Sequence, residues 1–177
     1  MGSIAKLSLV LGGARSGKSR YAEGLIAALP PPWQAPWTYV ATAEPGDAEM
    51  AARIASHRAR RGGSWRTVEA PRDLVGSLQA AGAAPALVDC LTLWLSNLML
   101  AGADIDAEIA HLEHALTAAA APVVMVANEV GSGIVPDHPL GRRFRDMQGV
   151  LNQRIAARAG RVVLMVAGLP LAVKGAL

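Results

Sequence analysis

The apolar run Leu7-Ser8-Leu9-Val10-Leu11 passes directly into Gly12-Gly13-Ala14-Arg15-Ser16-Gly17-Lys18-Ser19, and a helical stretch, Tyr21 to Leu29, follows. This fits G-x-x-x-x-G-K-S between a strand and a helix, the context in which the pattern forms a phosphate loop. The residue types have a physical reason. Glycines let the backbone curl until successive N–H groups point inward at phosphate oxygens, and the positive end of the following helix adds to the attraction. Lys18 is expected to reach the β- and γ-phosphates, and Ser19 to ligate Mg²⁺ through its hydroxyl. The competing reading is a glycine-rich turn that happens to contain Gly-Lys-Ser. Strand, loop and helix in that order weigh against it.

The rest of the chain continues the same alternation. Apolar runs bounded by turn residues, Leu7 to Leu11, Trp37 to Ala41, Ala86 to Cys90, Val123 to Ala127 and Arg161 to Ala167, are separated by longer helical stretches. That is the pattern of βαβ units around a mostly parallel sheet. Trp65 to Glu69 alternates polar and apolar residues and is expected at a sheet edge. Helices are predicted over Gly17 to Leu29, Asp47 to Arg61, Arg72 to Ala81, Leu91 to Leu100, Asp104 to Ala119 and Leu140 to Ala159. Pro30, Pro31 and Pro32 stop the first, since none donates a backbone hydrogen bond. Asp104 is placed as an N-cap, with Ala107 where a capping box would need Glu.

Length and composition narrow the class. A chain of 177 residues is read as one domain spanning 1–177. Hydrophobic residues are 52% and charged residues 18%, against typical values of roughly 45–50% and 25%, so an ordered core is expected rather than disorder. The longest apolar stretch, Val162 to Val173, is interrupted by Gly168 and Pro170 and is too short to span a bilayer. Met1 to Lys6 carries no export signal, and Cys90, the single cysteine, can form no internal disulfide. A cytoplasmic protein without a membrane span is expected. The net charge of +3 suits an anionic partner, but aromatics at 4% leave no base-stacking platform. Phosphorylated small molecules are favoured over nucleic acid.

Three further segments carry candidate chemistry. Ala86-Leu87-Val88-Asp89 reads as a buried strand delivering a carboxylate at its C-terminal end, where α/β sheets bind ligands. Asp89 there either holds the Mg²⁺ shell, orients a nucleophile, or merely caps. On the stretch Asp47 to Arg61, Met50, Ile54 and His57 share one helical stripe. His57 is then a histidine at the rim of the core, or, beside Arg53, Arg58, Arg60, Arg61 and Arg66, a nucleophile next to a bound triphosphate. The third segment, Asn128-Glu129-Val130-Gly131-Ser132-Gly133-Ile134-Val135-Pro136, follows a strand and is expected near the same crevice, binding substrate or simply turning. His111 and His114, flanking Glu113, are read as residues of a surface helix.

Several segments together resemble one family. Gly-Gly-Ala-Arg-Ser-Gly-Lys-Ser (12–19), Tyr-Val-Ala-Thr (39–42), Glu-Met-Ala-Ala-Arg-Ile-Ala-Ser-His-Arg (49–58), Trp-Arg-Thr-Val-Glu (65–69), Asn-Glu-Val-Gly-Ser-Gly-Ile-Val-Pro (128–136), Phe-Arg-Asp (144–146) and Asn-Gln-Arg (152–154) are similar to the bifunctional adenosylcobinamide kinase / adenosylcobinamide-phosphate guanylyltransferase. The likeness covers nearly the whole chain.

The resemblance implies a P-loop NTPase-like (RecA-like) α/β fold. It also implies two reactions of cobalamin biosynthesis. ATP or GTP would phosphorylate the hydroxyl on the aminopropanol arm of adenosylcobinamide, and GMP would then pass from GTP to that phosphate, giving adenosylcobinamide-GDP and pyrophosphate. A covalent histidine–GMP intermediate is implied at His57. Some members carry a second histidine just before this position, where the chain has Ser56. Nucleotide contacts are implied at Gly12, Gly13, Ala14, Arg15, Ser16, Gly17, Lys18 and Ser19, and also at Arg60, Arg61, Gly62, Gly63, Glu69 and Asp89, with Ser19 and Asp89 toward Mg²⁺. A homotrimer is implied as well. A neutral imidazole is a competent nucleophile near pH 7 and splits one difficult transfer into two easier steps. Two other readings stand beside this one: a monofunctional P-loop kinase with a structural His57, and a nucleotide-dependent regulatory switch.

Overall fold

The computed structural model describes residues 5–44, 46, 48, 52, 55, 58–59 and 62–177. The first strand, β1 (Leu7–Gly12), is buried on both faces and feeds the glycine loop and then α1 (Lys18–Ala27). The helix ends before the proline run. Next come β2 (Trp37–Ala41), a short 3₁₀ turn (Gly62–Ser64), β3 (Trp65–Glu69), α2 (Leu74–Ala81), β4 (Ala86–Asp89) and α3 (Leu91–Leu100). The chain continues through α4 (Ile105–Ala118), β5 (Val123–Asn128), α5 (Pro139–Arg158), β6 (Arg161–Val166) and β7 (Leu169–Lys174). The helix expected over Asp47 to Arg61 falls largely outside the described residues; Ala48, Ala52, Ala55, Arg58 and Ala59, which are described, are helical.

All seven strands form one sheet in the order β3-β2-β4-β5-β1-β6-β7. Every pairing from β3 to β6 is parallel, and only β7 runs antiparallel. β3 lies at the edge, as its alternating pattern predicts. β5 is inserted between the strand that carries the loop and the strand that carries Asp89. Pleating sends alternate residues to opposite faces. Leu7, Leu9, Val88 and Met125 therefore pack with Trp94, Ile109, Leu112, Leu151 and Ile155 on one face. Val10, Val124, Val126 and Val163 meet Ala22 and Ile26 of α1 on the other.

Helix starts follow local chemistry. Asp73 accepts from the Gly76 N–H at 2.8 Å and Asp104 from the Ala107 N–H at 3.1 Å, so each caps the helix after it. The predicted helix from Arg72 begins at Leu74 for this reason. Cys90, expected as the last residue of its strand, is instead the N-cap position of α3.

One strand escapes the sequence pattern. The interrupted apolar stretch after Arg161 is a hairpin, with Val166 paired to Leu169 across a two-residue turn. Ala167 and Gly168 both have positive φ, 51° and 82°. These are the signs a type I′ turn requires to match the twist of its strands. What reads as one broken strand is therefore β6, a turn and β7.

Candidate active site

The loop between β1 and α1 has the backbone its sequence demands. Gly12 stands at φ 154°, and a Cβ there would lie 2.7 Å from the Met165 carbonyl oxygen, so no larger residue fits. Gly17 stands at φ 93° with the Cα of Gly168 3.6 Å from where its Cβ would be. Arg15, at φ 56°, takes the left-handed conformation without being glycine. Gly17 is the N-cap position of α1 and supplies no side-chain cap, so the first turn keeps N–H groups for an anion. Lys18 is buried and its ammonium folds back over the loop to donate to the Gly13 carbonyl. The Ser16 hydroxyl is buried and has no hydrogen-bond partner among the described residues.

The parallel sheet brings other strand ends to the same edge. Gly12 is in register with Asn128, Ala41 with both Glu69 and Asp89, and Asp89 with Val126. Asp89 is half-buried and accepts a 2.8 Å hydrogen bond from the Tyr39 hydroxyl on Oδ2. The peptide after it is locked by Thr42, whose hydroxyl donates to the Cys90 carbonyl and accepts from the Cys90 N–H, both at 2.7 Å. Asn97 in turn donates to the Thr42 carbonyl at 2.9 Å. Burial, with the Asp89 charge adding to it, pushes the Cys90 thiol up to about 11, which leaves it protonated and inert near neutral pH.

Asp89 and Ser19, on the first turn of α1, together offer one carboxylate and one hydroxyl. That donor set suits Mg²⁺, whose octahedron is usually completed by substrate phosphates and water. Among the described residues no group of three or more His, Cys, Asp or Glu could cage a metal without such phosphates.

The segment after β5 closes the other side. Asn128 donates its N–H to the Thr92 hydroxyl at 2.7 Å and its carbonyl accepts from Asn152 at 3.1 Å. Gln148 donates to Asn152 at 2.9 Å. The Glu129 N–H then donates to the Gly12 carbonyl at 3.1 Å, tying this segment to the start of the phosphate loop. Between them lies an open cavity of about 460 Å³. Its walls are Gly13–Ser16, Glu129, Ser132 and Leu164–Ala167.

Of the sequence-predicted residues, the structure places Gly12, Gly13, Ala14, Arg15, Ser16, Gly17, Lys18, Ser19, Glu69 and Asp89 along this sheet edge, with Gly62 and Gly63 in the turn that leads into β3. Glu69 is exposed and faces Arg58 at 3.6 Å. His57, Arg53, Arg60 and Arg61 lie outside the described residues. Arg66, on β3, donates from its guanidinium to the Ala80 carbonyl at 3.4 Å, near the end of α2. His111 and His114 are exposed on α4, as expected. No role is predicted from sequence for Thr92 and Gln148, and Thr42 and Asn152 stand there only within the family-resembling segments 39–42 and 152–154. The signal was there in α5, where Gln148 and Asn152 share the stripe of Leu151 and Ile155. A polar residue on an apolar stripe needs a buried partner.

A phosphate loop at the C-terminal edge of a mostly parallel sheet defines the class, a P-loop nucleotide-binding fold. The solved structure of the flagellar accessory protein FlaH from Methanocaldococcus jannaschii shares this fold, with a TM-score of 0.50 at 12% identity over 96% of this chain and 78% of that one. Residues 8–173 match the family model described as cobinamide kinase / cobinamide phosphate guanyltransferase. The bifunctional adenosylcobalamin biosynthesis protein CobP of Pseudomonas aeruginosa is 47% identical over 171 residues, covering 94% of this chain and 96% of the relative. The bifunctional adenosylcobalamin biosynthesis protein CobU of Salmonella typhimurium is 44% identical, covering 94% of this chain and 98% of the relative. The Escherichia coli protein of the same name is 42% identical with the same coverage. The chain belongs to this family and is a transferase of cobalamin biosynthesis, a cobinamide kinase and cobinamide phosphate guanyltransferase.

Proposed function

We propose that both reactions run at the edge where the phosphate loop, Asp89 and Glu69 converge, with GTP as GMP donor and ATP or GTP as phosphate donor. The observation that carries this is the loop itself: uncapped N–H groups at α1, a buried Lys18 folded over them and an unpartnered Ser16 hydroxyl. Loop and lysine hold the β- and γ-phosphates. Ser19 and Asp89 hold Mg²⁺, which when bound neutralises charge on the departing phosphates.

In the kinase step the hydroxyl of the adenosylcobinamide arm attacks the γ-phosphorus, and the nucleoside diphosphate leaves. In the transfer step an imidazole nitrogen of His57 attacks the α-phosphorus of GTP, and the bond to the pyrophosphate oxygen breaks. A phosphate oxygen of adenosylcobinamide phosphate then attacks the histidine-bound phosphorus and releases His57. Arg60, Arg61, Gly62, Gly63 and Glu69 contact the nucleotide. The protein works in the cytoplasm as a homotrimer.

The decisive measurement is intact mass after incubation with GTP and Mg²⁺, with peptide mapping. An acid-labile, GMP-sized adduct on His57 is the expected result. His57→Ala is expected to abolish GMP transfer while part of the phosphorylation survives; undiminished transfer in that variant would remove His57 from the mechanism.

A further inference from the structure

The cavity beside the phosphate loop contains a charge that phosphate binding does not explain. Glu129 is exposed and lines the same cavity as Gly13–Ser16. A carboxylate on the wall of a loop built to attract phosphate opposes a bound polyanion, since like charges repel at short range. Yet the fold goes to some length to hold it there. Its backbone is tied to Gly12, the residue before it is clamped by Thr92 and Asn152, and Oε1 accepts from the Gly131 N–H at 2.6 Å. The other carboxylate oxygen takes no hydrogen bond from a described residue.

The two reactions differ in what such a group could do. The acceptor in the kinase step is a neutral hydroxyl that must lose a proton as its oxygen bonds to phosphorus. The acceptor in the transfer step is a phosphate monoester, already anionic, with no proton to surrender.

We propose that Glu129 is the general base of the kinase step, and that the cavity it lines receives the hydroxyl-bearing arm of the acceptor. The acceptor O–H bond breaks and its proton passes to the Glu129 carboxylate. The acceptor oxygen bonds to the γ-phosphorus, and the bridging P–O bond breaks with its electron pair on the departing nucleoside diphosphate. No oxidant or reductant is involved. The walls suit such an arm: Leu164, Met165, Val166 and Ala167 are apolar, and Ser132 and Glu129 supply polar groups to orient a hydroxyl. A volume of about 460 Å³ admits the arm and leaves the corrin ring outside.

This inference rests on the phosphate-loop reading, so the test carries a control for it. Phosphorylation of adenosylcobinamide and GMP transfer to separately supplied adenosylcobinamide phosphate are measured in Glu129→Gln, in Lys18→Ala and in the parent. Loss of both reactions in Lys18→Ala shows that the loop serves both; if it loses neither, the loop reading fails first. Glu129→Gln keeps an oxygen to accept from Gly131 but cannot take a proton. Its kinase kcat is expected to fall about 10²-fold or more, with GMP transfer and the nucleotide KM within about twofold of the parent. Kinase turnover within a few-fold of the parent overturns the proposal. So does an equal loss in both reactions, or recovery at higher Mg²⁺, either of which would assign Glu129 to nucleotide or metal binding.

A second variant guards against a folding defect. A Cβ at Gly131 would stand 2.8 Å from Oε1 of Glu129, the free end of a flexible side chain. Gly131→Ala therefore displaces the carboxylate while sparing the fold, and a selective, smaller kinase loss is expected. Full kinase activity in Gly131→Ala counts against the proposal as well.

Discussion

Two glutamates, Glu113 on α4 and Glu129 after β5, show how differently one fold treats the same side chain. Glu113 is buried between helices and receives Arg154 through two bonds, at 2.6 and 3.1 Å, and Arg158 at 3.1 Å. Hydrogen bonding from Arg154, and then from Arg158, holds its carboxyl down at about 2. All its capacity is spent on fastening α4 to α5. Glu129 is exposed, at the sheet edge, and held by a single backbone N–H at 2.6 Å. A charge saturated by cations is structural, whereas Glu129, with one carboxylate oxygen unpartnered among the described residues beside a phosphate loop, has the setting the proposed base requires.

The comparison can be broken by removing each side in turn. The largest effect is expected for Lys18→Ala, which should lower both phosphorylation and GMP transfer by about 10²-fold or more, as the proposal that one preorganised phosphate clamp serves both requires. Loss of only one reaction in steady-state kinetics would show that the two have separate sites. Glu113→Gln should do the opposite. Leaving Arg154 and Arg158 without their anion is expected to cost about 2–3 kcal/mol, less than a fully buried pair because both arginines reach solvent. For a chain of this size that is about 5–10 °C in Tm, with both kcat values unchanged.

The same clamp sets an acid limit. The Glu113 carboxyl is depressed from its ordinary 4.5 to about 2. Its stabilisation is therefore complete above about pH 4.5, is lost as pH falls toward 2, and amounts to about 3 kcal/mol. Urea melts at pH 5 and pH 3 should show about half of that loss in the parent, the rest following as pH falls toward 2, and little of it in Glu113→Gln. The smallest effect is expected for Asp104→Ala, which removes the cap of α4 on which Glu113 rides. About 1 kcal/mol is expected from thermal melts, with no change in turnover, and a larger loss would mean that the cap also sets the clamp.

Local chemistry made much of the fold legible. β1, the loop and α1 follow from an apolar run, glycines at forced conformations and Lys-Ser at the helix start, and the Asp104 cap from one side chain. The edge position of β3 follows from its alternation. β7 was missed because Gly168 and Pro170 look like breaks in one strand, when Ala167 and Gly168 form a two-residue turn. The partner of Arg66 was not legible either, because the Ala80 carbonyl lies 14 residues along the chain, near the end of α2. Thr42, Thr92 and Asn152 were unreadable as a group because their partners Cys90 and Asn128 lie 24 to 48 residues away and leave no local trace, whereas the Gln148–Asn152 pair, four residues apart on one stripe of α5, did leave one.

The sequence by itself determined that phosphate would be bound and where in the chain, because the backbone angles of a phosphate loop are a local property of glycine, and determined the alternation that makes a parallel sheet. Tertiary structure alone decided which strand ends share an edge. It inserted β5 between β1 and β4, so that Asn128 lies in register with Gly12 and the Glu129 N–H reaches the Gly12 carbonyl. Strand order is set by packing over the whole core, which no single segment encodes, and it separates Glu113 as fastening from Glu129 as a side chain placed against the phosphate loop.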